Sequence, residues 1–315
     1  MHFVFATYVS HWRSHYEEGF ASFARALRAG LEMGDVRHVC YTRVHRAHRM
    51  FLVGENLDEC HAEAENAARH LTEVRAVGPL AGIGILRRAL APLRGTTAEP
   101  GDAQMSDERF TELLRTTGNA QALYTHGQMQ AMVSFFLGDL AASAKWVAYA
   151  APSVAVAPGL FSLPDYHLFQ GLILAQRVKD AGQGERPALL ERIGGIVERL
   201  GEWAGHSPGN FAHKLALAQA ELARVRGTPL DEVIPLYDEA LRAAGDGFLN
   251  IRALIHELEA QLLAERGQLN LARTHLRKAY DLYRTWGAQA KLRQLEQRHP
   301  DWLSARFPSD EAAAS

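Results

Sequence analysis

At 315 residues, with 47% hydrophobic and 22% charged side chains, the chain has the composition of a folded protein with ample material for a core. Its 34 basic and 36 acidic residues leave a formal net charge of -2, so no global field draws it to nucleic acid or to an anionic membrane. Two cysteines, Cys40 and Cys60, are too few for a disulfide framework, and no apolar run approaches the roughly 20 residues of a membrane span, so a cytoplasmic chain with reduced thiols is expected.

The chain opens with a helix over residues 2–14 and a second over 17–33, where Phe20, Phe23, Ala24, Leu27 and Leu31 fall on one face. Gly34 and Asp35 supply a left-handed stop and an N-cap, which places a third helix at 36–53, ending at Gly54. Residues 78–93 are apolar and carry Gly82, Gly84 and Pro92; the GTTAEPGDAQMS that follows has the content of an exposed loop, set at 95–105. Ser106 caps the next helix, with Asp107 and Glu108 where the helix dipole favours negative charge, and Gly118-Asn119 separates it from a helix over 120–137. The proline-broken APSVAVAPGLFSLPDY is apolar and is expected to cross the body as a packed connector. Helices at 165–178 and 187–204 come next, then two hairpins over 207–286, a short helix at 288–297 and a disordered tail at 304–315.

Four turns repeat one pattern. GENLDECHAEAENAA from Gly54 lies on GTPLDEVIPLYDEAL from Gly227, each with alanine thirteen positions after the glycine, at Ala67 and Ala240. Gly138 and Gly267 each precede an alanine by twelve positions, at Ala150 and Ala279. In the cleanest copy, residues 249–286, Ala260, Ala272 and Ala279 stand where a tetratricopeptide-like hairpin needs small side chains, and Leu263, Leu269, Leu276 and Tyr280 fill the space between helices. A single hairpin leaves an apolar face bare, so neighbours must stack. The expectation is an all-α, tetratricopeptide-like solenoid of about seven hairpins, continuous from repeats at 1–94 to repeats at 106–303.

SPGNFAHKLALAQAELARVRG, HFVFATYVSHWRSHYEEGFASFARALRAGLEMGD and the L-Y-x-x-W-G-A-x-A-K-x-x-Q-L-E run at 282–296 resemble the helical-repeat region of large bacterial signalling hybrids. In those proteins serine/threonine kinase and AAA ATPase domains precede the repeats, and GAF and sensor histidine kinase domains follow. The resemblance implies a non-enzymatic, tetratricopeptide-like regulatory module that holds a protein partner or an adjoining signalling domain. This chain carries no G-x-x-x-x-G-K-[ST], and its third helix, VRHVCYTRVHRAHRMFLVG, is more polar than the family's.

That polarity motivates a second reading, a small-molecule pocket. His38, Tyr41, His45 and His48 advance by three or four residues along one helical face, with Arg43, Arg46 and Arg49 largely to another side. His11 and His15 stand one turn apart on the first helix and could bring further imidazoles to the same point; the candidate ligand residues are His11, Tyr41, His45 and His48. The alternative is that these are polar surface or satisfied core histidines. No H-E-x-x-H accompanies them, so no metal and no cofactor are expected. Asp165 next to Tyr166 and His167 reads as a helix cap rather than as part of a general base, because neighbours on a helix diverge by about 100 degrees. Asn210, Phe211 and Lys214 are assigned to the concave wall of a partner groove, with inter-repeat packing as the alternative for Phe211. No G-x-S-x-G elbow or other nucleophile motif occurs, so no catalytic residue is assigned. An uncapped first hairpin leaves room for a homodimer.

Overall fold

In the computed structural model, which describes residues 1–96 and 105–303, all regular structure is helical. The exposed loop expected at 95–105 lies mostly, and the tail at 304–315 wholly, outside the described residues. The first part comprises α1 (His2–Val4), α2 (Tyr16–Glu32), α3 (Val36–Val53), α4 (Leu57–Glu73) and α5 (Val77–Arg94). The middle contributes α6 (Asp107–Thr116), α7 (Ala120–Phe136), α8 (Leu140–Ala150), α9 (Leu163–Val178) and α10 (Arg186–His206). The last part contains α11 (Pro208–Arg226), α12 (Leu230–Ala244), α13 (Leu249–Glu265), α14 (Leu269–Trp286), α15 (Gln289–Arg298) and α16 (Pro300–Leu303). None of these helices is long and apolar enough to cross a membrane.

Local sequence accounts for the boundaries. Asp35, Asn56, Ser106, Asn119 and Asp139 each accept a backbone N–H in the first turn of the helix they precede. Gly54, Gly138, Gly227 and Gly267, the four glycines of the repeated pattern, all adopt φ between +75° and +83° just after a helix. The four paired alanines, Ala67, Ala150, Ala240 and Ala279, are all fully buried. Consecutive helices accordingly pack as antiparallel neighbours, most extensively α7 with α8, α11 with α12 and α13 with α14.

The alternation of helix types sorts the chain into two layers. Helix α9 buries thirteen of its 16 residues, while the 21-residue α10 buries five along one stripe. Helices α3, α7, α11 and α13 behave like α9; α4, α12 and α14 behave like α10. A helix buried on all sides belongs inside and an amphipathic one belongs outside. Buried polar bonds tie the layers: Glu221 of α11 accepts from Tyr237 of α12 at 2.5 Å, and Glu257 of α13 accepts from Tyr283 of α14 at 2.7 Å.

The beginning and end of the chain meet. Asn210 Nδ2 donates to the carbonyls of His11 and Ser14, both at 2.8 Å, while its Oδ1 accepts from Tyr16 N at 2.9 Å. Asn56 Nδ2 donates to Thr285 O at 2.8 Å. At Gly54, where φ is +81°, an added Cβ would lie 2.6 Å from Asn250 Oδ1 and 2.8 Å from Leu249 N. At Gly227, φ is +83° but nothing stands within 4 Å. Gly227→Ala is therefore expected to cost only the left-handed strain, about 1 kcal/mol, and Gly54→Ala at least about 3 kcal/mol. Equal urea midpoints for the two variants would contradict the close seating of α3 on α13.

Two expected elements differ. The first helix is only three residues long; Phe5–Val9 forms a π-turn and Ser10–Trp12 a 3-10 turn. A guanidinium is the reason: Arg49 Nη2 donates to Ala6 O at 2.8 Å, and Ser10 Oγ donates to the same carbonyl at 3.0 Å. Helix α9 starts at Leu163, so Asp165 lies inside its first turn and is not its cap. The connector before α9 is packed as its composition implied, with Ala157, Leu160, Phe161 and Ser162 all buried.

Candidate ligand-binding site

Helix α3 is built as a two-sided element. One side carries Val39, Ala47, Phe51 and Leu52 into the core. Another carries His38, Tyr41, His45 and His48, the face read from the three-to-four residue spacing, and all four line a cavity of about 500 Å³. The opposite walls come from the start of α5, with Gly78, Pro79, Gly82 and Ile85, and from the start of α7, with Gln121 and Thr125. Phe3 and Tyr8 of the N-terminal segment complete it. That volume suits a small organic molecule.

The aromatic arrangement is dense. Phe3 lies over the histidine face, its ring centroid 5.8 Å from His38, 6.4 Å from Tyr41 and 5.6 Å from His45. Tyr8 approaches His45 at 6.3 Å, and His45 meets His48 edge-on at 6.4 Å. His48 Nε2 donates to Gly82 O at 2.9 Å, which fixes its tautomer and leaves Nδ1 as an acceptor. Gly82 is needed because a Cβ there would stand 2.8 Å from Val44 Cγ1, so only glycine lets α5 come this near to α3. Burial holds His48 down to about 4. Burial, with His48 and Arg49 nearby, holds His45 down to about 3. Both imidazoles are neutral at physiological pH, each with one donor and one acceptor.

Behind them lies a smaller cavity of about 40 Å³, which shares His45, His48, Gln121 and Thr125 with the larger one and reaches Arg49. Arg49 is 3% exposed and, among the described residues, no carboxylate pairs with it: its contacts are Ala6 O, Ser10 Oγ at 3.3 Å, His11 Nδ1 at 3.3 Å, and the faces of Phe23 and Phe161. Gly19 leaves the space that the guanidinium fills, since a Cβ there would overlap Nη1. Burial lowers this guanidinium to about 9, so it stays charged at neutral pH. An uncompensated cation in a low-dielectric interior makes the inner end of the cavity favourable for an anion or a strong hydrogen-bond acceptor.

His11 does not join the other candidates. It is buried among Trp12, Phe161 and Phe211 with Arg49 against its Nδ1, and burial and Arg49 depress its basicity strongly. It does not line the cavity, so the imidazoles do not converge on one point. His15 is half-exposed beside Glu17.

The partner-groove residues require a correction. Asn210, Phe211 and Lys214 are each 0% exposed, because α11 is an inner helix, and they form no wall open to a partner. Asn210 bridges to the N-terminal segment, Phe211 packs on Trp12 and Phe161, and Lys214 Nζ forms a 2.8 Å ion pair with Asp165, itself 0% exposed. Asp165 and His167 point apart as helix geometry requires; His167 packs on Trp203. Phe3, Tyr8, Gln121, Thr125 and the inward turn of Arg49 leave no mark in the sequence pattern; they come together only through packing. No family model, curated protein or solved structure matches this chain, and the cavity's own chemistry carries the functional reading.

Proposed function

We propose that this chain is a helical-repeat protein that binds a small molecule between α3, α5 and α7. The observation that carries this reading is the aromatic and imidazole wall of a cavity of about 500 Å³. Flat apolar surface from Phe3, Tyr8, Pro79 and Ile85 suits a planar or hydrocarbon body. Neutral His45 and His48, with Arg49 behind, suit a carboxylate or similar acceptor at the inner end. We read the role of this cavity as binding. A tetratricopeptide-like solenoid remains the proposed architecture, supported by the left-handed glycines and buried alanines that recur at four turns. The resemblance to the repeats of signalling hybrids favours a protein-interaction module instead, in which the recognition surface lies elsewhere and the cavity has no role.

Saturation-transfer NMR separates the two, using aromatic carboxylates and their matched primary amides as probes. The expected result is binding of carboxylates in preference to amides, lost in H45A/H48A while near-UV circular dichroism is retained. Binding that the double variant leaves unchanged, or its absence from the wild-type chain, would favour the interaction module.

A further inference from the structure

We propose that the last hairpin holds a divalent transition-metal site of the zinc type, built from His256, Glu259 and His275. His256 and Glu259 stand three residues apart on α13 and share a face. His275 comes from α14, which lies close because Ala260, Ala272 and Ala279 are buried between the helices. His275 Nδ1 is 2.7 Å from Glu259 Oε2 and 3.3 Å from His256 Nδ1; the third edge, His256 Nδ1 to Glu259 Oε2, is 4.0 Å. A tetrahedral ion with ligands at about 2.0–2.2 Å has edges of about 3.3–3.6 Å, so the triangle closes on an ion after side-chain shifts of roughly half an ångström.

Two observations favour a metal over a shared proton. Among the described residues Glu259 Oε2 is buried and makes no hydrogen bond: although His275 Nδ1 is near, it is not aligned to donate. Both Nδ1 atoms also face the same point, and one proton can serve at most two of the three atoms. A divalent ion accepts a lone pair from each. Two imidazoles and one carboxylate are the donor set of zinc sites that keep a fourth position open. Side-chain exposures of 11% for His256 and 16% for His275 leave solvent a route to that position. Burial, together with His275, Lys278 and Arg252, keeps His256 neutral and its lone pair free for an ion. The ion would clasp α13 to α14, independently of the cavity on α3.

The test titrates metal-free full-length protein with ZnCl2, and with CoCl2 followed by its visible absorption. Expected are one Zn2+ per chain, a higher Tm, a tetrahedral-type cobalt spectrum, and binding about 100-fold weaker in Glu259→Gln and His275→Gln. H45A/H48A should bind as the wild type does, and MgCl2 should have no effect. No stoichiometric binding by the wild-type chain would overturn the site, as would binding that Glu259→Gln and His275→Gln leave intact or that H45A/H48A abolishes. Stoichiometry and spectrum are read on wild-type protein, so a variant that fails to fold does not leave the question open.

Discussion

Asp165→Leu is expected to destabilise the fold by about 3–5 kcal/mol, and Lys214→Met by a similar amount, while the double variant recovers most of the loss. Asp165 of α9 and Lys214 of α11 meet at 2.8 Å with both side chains fully buried. The rings of Phe161 and Phe248 face the ammonium, the imidazole of His213 lies beside it, and Tyr124 lies near the carboxylate. Burial pushes the Asp165 carboxyl up, and Lys214 pulls it back. Removing either partner leaves a charge in the interior with nothing to balance it. Removing both leaves an apolar site of similar volume, which buried ion pairs generally tolerate. Urea midpoints of the two single variants and the double variant measure this directly. A double variant as unstable as the sum of the singles would mean that the pair does more than cancel its own desolvation.

The second large effect is on acid stability: Tm should fall by about 15 °C between pH 7.5 and pH 5. Burial lowers His45 to about 3 and His48, His126 and His167 to about 4. In the unfolded chain these imidazoles titrate near pH 6.5. A group held neutral by the fold contributes stability that is fully present above the unfolded value and is lost as pH falls towards the folded one. Each group costs about 2 kcal/mol by pH 5, and the four together about 8 kcal/mol, against a usual total of about 5–15 kcal/mol. His11 and His213 are shifted in the same direction. Glu55 and Asp165, raised chiefly by burial, work in the opposite sense but are too few to compensate. A Tm that stays flat over this range would mean that the imidazoles reach solvent or a counter-ion in the folded protein.

What could be read from the sequence follows from which interactions are local. His38, Tyr41, His45 and His48 share a face because helical spacing alone dictates it, and α3 is a regular helix. Gly54, Gly138, Gly227 and Gly267 were legible as helix stops, since a left-handed residue requires little beyond its own chemistry. Arg49 was not legible: an arginine defaults to the surface, and its burial depends on Gly19, on Phe161 and on a π-turn more than thirty residues upstream. His11 likewise packs on Phe161 and Phe211, distant in sequence, instead of joining the face it was expected to join. Asn210, Phe211 and Lys214 failed as a groove because the partners that bury them, His11, Trp12 and Asp165, are distant in sequence. The cluster of His256, Glu259 and His275 escaped the sequence reading, because His275 comes from the next helix.

Native mass spectrometry of the wild-type chain and of H45A/H48A, each mixed with the aromatic carboxylate panel, tests the cavity most directly. The pocket reading predicts one carboxylate per wild-type chain and none on the folded double variant. A wild-type chain that stays free of every probe, or a double variant that takes up the same adduct, would contradict it.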